Sequence, residues 1–97
     1  MERYHTLQIR FSAEKVHPGM EFSYRGNTFI LGDATAETLA PPALPIGVIM
    51  NGFTRQFVLT QEGQPAGAAW FYFYRAFEGK NWAVLDEMEL YNARACA

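Results

Sequence analysis

The sequence predicts an all-β, mainly antiparallel domain: a small barrel or rolled sheet of about six to seven strands with a short C-terminal helix. Three observations carry that expectation. Polar and apolar residues alternate with a period of two along most of the chain, the pattern of strands with one buried face. Gly, Asn and Pro punctuate the alternating runs at short intervals, where tight turns need them. Aromatic residues make up 15% of the chain, and each can bury roughly 150–250 Å², so a few of them suffice for a small core. Ninety-seven residues hold one such core and not two, which makes residues 1–97 a single compact domain on this reading.

The elements follow in order. Leu7, Ile9 and Phe11 alternate with Thr6, Gln8 and Arg10, a strand that Pro18-Gly19 then ends. Met20, Phe22 and Tyr24 alternate with Glu21, Ser23 and Arg25, and Gly26-Asn27 turns the chain into Thr28–Leu31. Glycine and asparagine tolerate the positive φ of a tight turn, so 20–32 is a hairpin.

Asp33 to Ala40 is rich in Ala and Thr and reads as one or two helical turns capped by Asp33. Pro41, Pro42 and Pro45 then exclude both helix interior and central strand, giving one long surface connection. Ile46–Met50 and Phe53–Thr60 flank Asn51-Gly52, the favoured pair for a type I′ hairpin turn. Gly63, Pro65 and Gly67 mark a further loop before the aromatic strand Ala68–Phe77. Glu78–Asn81 is a turn, and Trp82–Leu85 the last strand.

Asp86 can cap the first amides of a final helix, with Glu89 reaching back as a capping box and Leu85 and Leu90 as its hydrophobic staple. A final short strand, Met88–Tyr91, is the alternative. An SH3-like or OB-like barrel fits the length, but no motif identifies either, and architecture alone assigns no function.

Several function classes are disfavoured. The net charge is −2 and the eight basic residues are scattered, which gives no electrostatic basis for nucleic-acid binding. Gly67–Phe73 is similar to the aromatic strand of RNA-recognition domains, but lacks its leading basic residue and one aromatic. No apolar run approaches the ~20 residues of a spanning helix, and Met1 to Phe11 alternates where a signal peptide would be continuously apolar. Cys96 is the only cysteine. It excludes an intrachain disulfide and fits a reducing compartment, so cytoplasmic residence is expected.

No catalytic or metal motif stands out. His5, His17 and Cys96 lack metal-site spacing. Ser12 and Ser23 sit in no nucleophile-elbow pattern. Capping accounts for Asp86, Glu87 and Glu89, and the PxxP spacing of Pro42–Pro45 reads as a linker. Neither a cofactor nor a metal is expected.

The aromatic strand carries the functional signal. Its alternation places Phe71, Phe73 and Phe77 on one side and Trp70, Tyr72 and Tyr74 on the other. The Phe set suits a core. The Trp and Tyr set could present roughly 300–600 Å² in one patch, at or above what a monomer leaves exposed. Its cover is a C-terminal helix with Met88, Tyr91 and Ala95 on one stripe, a second copy, or a ligand. A homodimer burying Trp70, Tyr72 and Tyr74 is the expectation, because such patches form the centres of interfaces. The best functional reading is a non-catalytic binding or interaction module that self-associates and engages a protein partner. The alternative is a small-molecule binder or small enzyme with an aromatic pocket shared between subunits. Trp70, Tyr72, Tyr74 and Trp82 would line it, and Arg55 or Arg75 would supply the polar contacts.

Overall fold

The computed structural model describes residues 2–38 and 52–91. Among them, six strands form one antiparallel sheet: β1 (Glu2–Ser12), β2 (Glu21–Tyr24), β3 (Asn27–Thr38), β4 (Phe53–Gln61), β5 (Gln64–Arg75) and β6 (Asn81–Leu90). A single 3-10 turn, Ala13–Lys15, follows β1. The sheet order is β1-β6-β5-β4-β3-β2, so β2 to β6 form a meander and β1 returns to pair with β6. No helix among the described residues is long and apolar enough to cross a membrane.

The sheet rolls into a half-barrel because its inner face is apolar along every strand. Phe22, Phe29, Leu31, Phe57, Leu59, Phe71, Phe73, Leu85, Met88 and Leu90 are buried together there, with Leu7, Ile9 and Phe11 packed against them. β1 and β2 lie at opposite edges of the sheet, yet their side chains meet. Phe11 contacts Phe22 at 6.3 Å between ring centroids, and Tyr4 contacts Tyr24 at 5.3 Å, both edge to face. Side-chain packing, in place of a hydrogen-bonded ladder, draws the two edges together. Phe71 ties the floor of the roll to its walls through Phe57, Phe22 and Phe11.

Two two-residue turns set the hairpins. Arg25 (φ 51°) and Gly26 (φ 79°) link β2 to β3, one residue earlier than expected. Glu62 (φ 52°) and Gly63 (φ 78°) link β4 to β5. Positive φ at both central residues is the type I′ geometry that matches strand twist. Pro65 and Gly67, expected in a loop, therefore lie inside β5, and Ala66 between them is the extra residue of a bulge. Pro65 precedes the first β5–β6 pair, Gly67 with Leu90, so its missing amide costs that ladder nothing.

The expected C-terminal helix is a correction. Residues 86–90 belong to β6, paired on both sides with β1 and β5. The pairing Phe71–Leu85 followed by Trp70–Glu87 makes Asp86 a bulge residue. That insertion spaces the inward residues Leu85 and Met88 by three, which imitates a helical stripe. Ladder bonds on both edges override the capping box. Tyr91 lies exposed beyond the strand.

Asp33 onward is likewise strand, not helix: β3 continues to Thr38 along β4, with register shifts on either side of Ala34. Those irregularities break the period of two and hide the strand. β5 ends at Arg75, so Phe77 leaves the core side and stands exposed in the β5–β6 turn. β4 is paired on one edge with β3 and on the other with β5. Its expected hairpin partner, Ile46–Met50, lies outside the described residues, as do Asn51, Pro41, Pro42, Pro45, Ala95 and Cys96.

Candidate functional site

Strand register concentrates aromatic residues at one end of the sheet. The β5–β6 ladder sets Tyr72 opposite Val84, Tyr74 opposite Trp82 and Arg75 opposite Asn81. The β4–β5 ladder sets Phe53 opposite Phe73. Adjacent strands alternate faces in step, so Phe53 and Phe73 stand on the inner face and Tyr72, Tyr74 and Trp82 on the outer.

On the inner face, the Phe53 and Phe73 rings stack at 5.2 Å with 11° between planes. The Arg55 guanidinium lies 5.1 Å from the first ring and 5.3 Å from the second. Glu37 on β3 holds that guanidinium: Oε2 accepts from Nε at 3.0 Å and from Nη2 at 2.6 Å. Arg55 therefore fixes the stack from one side, as a cation over aromatic faces does.

On the outer face, Tyr72 and Tyr74 stack at 6.1 Å and pack with Val84, Ala76 and Trp82. The Tyr72 hydroxyl accepts the Gly52 amide at 3.0 Å. Tyr72 is 1% exposed and Tyr74 8%, so these rings are already buried within one chain. Little of their area is left for a partner. The exposed patch expected from Tyr72 and Tyr74 is not present, and the available aromatic surface lies beside it.

That surface is an open cleft of about 300 Å³ at the end of the sheet. Phe53, Phe73, Tyr74 and Trp82 supply its aromatic walls, Arg75 and Asn81 its polar groups, and Ala13 and Gly52 complete it. A second, more polar cleft of about 450 Å³ shares Ala13 and Asn81 and adds Ser12, Glu14 and Lys80. Trp82 is held at the boundary. Its indole N–H donates to Glu78 Oε1 at 3.2 Å, and Arg10 and Lys80 lie 4.3 and 4.4 Å from its ring centroid. Comparisons with protein-family models, curated proteins and solved structures return no match.

Of the residues singled out from sequence, the structure brings Tyr74, Trp82 and Arg75 to the cleft, with Tyr72 behind Tyr74 and Arg55 behind the Phe53–Phe73 stack. Trp70 is not part of it. Arg3 covers the Trp70 ring at 5.1 Å, and the same guanidinium bridges Glu87 and Glu89 at 3.1 and 3.0 Å. His5 Nδ1 meets Glu87 at 2.7 Å in that exposed network.

Ala13, Gly52, Phe53, Phe73 and Asn81 also line the cleft and were not among the expected site residues. Phe53 was visible as a strand residue, but only the β4–β5 register makes it the partner of Phe73. The described residues contain no group of three His, Cys, Asp or Glu arranged to hold a metal. Chemically, aromatic walls with a cation and an amide at the rim can grip and orient an apolar or aromatic group.

Proposed function

We propose that this protein is a non-catalytic binding module, one small self-associating β domain over residues 1–97 that works through the aromatic end of its rolled sheet. The observation that carries it is Phe77. This ring is 86% exposed, two residues past the end of β5, the strand whose last residues Tyr74 and Arg75 line an open cleft together with Phe53, Phe73 and Trp82. A ring so placed contributes nothing to the fold that holds it, whereas covering it on association removes apolar area from water. Such a module needs neither cofactor nor metal, and the lone cysteine of the chain is consistent with work in the reducing cytoplasm. Light scattering at increasing micromolar concentration tests the proposal. A rise toward the dimer mass is expected, and a constant monomer mass overturns self-association.

A second reading is supported by the cleft itself. At about 300 Å³ it reaches the lower limit of ligand pockets, and Arg75 and Asn81 are the few polar groups such a pocket uses for orientation. The protein would then bind a small aromatic molecule, the pocket being completed by a second subunit. A thermal-shift screen with aromatic metabolites separates the two, because a ligand of the native state raises the melting temperature by mass action.

A further inference from the structure

We infer that the tip of the β2–β3 hairpin is a strap that closes the open side of the roll, and that Arg25 is its clasp. Both belong to a single chain, so they hold whether or not it self-associates. Each of β3, β4, β5 and β6 has a ladder partner on both sides, whereas β1 and β2 are the two edges and share no ladder across the seam. The β3–β4 register begins at the pair Ile30–Thr60, so the tip from Phe22 to Phe29 reaches past the last rung. Two aromatic contacts hold it to β1: Tyr24 meets Tyr4 at 5.3 Å and Phe22 meets Phe11 at 6.3 Å. Local openings of low free energy occur where few backbone hydrogen bonds must break. This seam can part without breaking a rung of the sheet.

Arg25 is an unusual residue for its position. It is the first central residue of a type I′ turn, at φ 51°, where Asn, Asp or Gly is favoured and a longer side chain is penalised. The side chain supplies the compensation. Its guanidinium lies 4.9 Å from the centre of the Tyr4 ring and 5.6 Å from that of Tyr24, so one cation grips an aromatic ring from each side of the seam.

The turn is also aimed from behind. Gln61 Nε2, at the end of β4, donates to Asn27 Oδ1 at 3.3 Å, and Asn27 Nδ2 donates to the Arg25 carbonyl at 3.3 Å. β4 thus fixes the backbone of the turn whose side chain holds β1. When the clasp is released and the strap lifts, Phe22 leaves Phe11 and Phe71, and an apolar surface is bared between the sheet edges. Two exposed cation–aromatic contacts favour the closed form by about five- to thirty-fold.

Thiol labelling of the full chain tests the strap. Leu7 packs against the core from β1 between Tyr4 and Phe11, so Leu7→Cys in a Cys96→Ser background reports seam opening to iodoacetamide, a neutral reagent. Arg25→Gly removes the guanidinium and suits the positive φ, so the turn itself is not weakened. Amide exchange of β5, in the middle of the sheet, monitors global unfolding. Labelling about five- to thirty-fold faster with Arg25→Gly is expected, with β5 exchange no faster. Arg25→Lys keeps a cation and should restore part of the protection. On the chain with Leu7 intact, nuclear Overhauser contacts between the Tyr4 and Tyr24 rings should weaken in Arg25→Gly. Labelling and ring contacts that Arg25→Gly leaves unchanged overturn the clasp and make Arg25 a turn residue only. Labelling that rises only in step with β5 exchange overturns the strap, because the seam then opens with the whole fold.

Discussion

The hydroxyl of Tyr72 accepts the backbone amide of Gly52 at 3.0 Å, which joins the centre of β5 to the residue that enters β4. The ring itself is buried against Tyr74 and Val84. Tyr72→Phe keeps the ring and removes the acceptor, leaving a partly buried amide without it. A loss of about 1–3 kcal/mol is expected, read from urea unfolding. An unchanged midpoint would show that water satisfies the amide equally well.

Gly52 is constrained by space. A Cβ built there would collide with the carbonyl of Phe73 and approach the Tyr72 ring. Backbone cannot yield as a flexible side chain does, so Gly52→Ala should cost several kcal/mol, at the upper end of single substitutions. Gly26→Ala is the control: nothing lies within 4 Å, and only the φ of +79° opposes it, at about 1–2 kcal/mol. Thermal melts of the two should differ clearly, and equal melting temperatures would refute the close approach.

Phe71 and Phe77 lie on one strand and its following turn, and their substitution should separate stability from association. Phe71 is fully buried and touches Phe57, Phe22 and Phe11. Phe71→Ala leaves a cavity worth about 3–5 kcal/mol. Phe77→Ala should change stability by no more than about 0.5 kcal/mol while association falls. A large stability loss at Phe77 would mean that the ring is part of the core.

The roll itself is testable at Phe11 and Phe22, which meet across the two sheet edges at 6.3 Å. A double-mutant cycle to Ala should return a coupling of about 0.5–1.5 kcal/mol, the worth of an aromatic pair beyond its buried area. Additive losses would show that the edges do not depend on one another.

Much of the sheet was legible because alternation is local. Leu7, Ile9 and Phe11 on β1, Phe22 on β2 and Phe71 and Phe73 on β5 face the core as their spacing foretold. The failures coincide with bulges. At Asp86 and around Ala34 an extra residue shifts the period, and a strand then carries a helical or patternless sequence. A bulge is settled by the neighbouring strand, which the local sequence does not contain.

The aromatic strand has the same division. The sequence by itself determined that Trp70, Tyr72 and Tyr74 share a face, that Phe71 and Phe73 oppose them, and that an aromatic surface this large needs cover. Only the tertiary structure decided how that face is divided. Register placed Tyr72 and Tyr74 in one packed cluster with Val84, where both are buried, β1 brought Arg3 over Trp70, and the end of β5 at Arg75 left Phe77 in the open. Alternation is a property of one backbone. Which rings are covered depends on the strands beside it and on where each strand stops, and those are long-range pairings that no local pattern encodes.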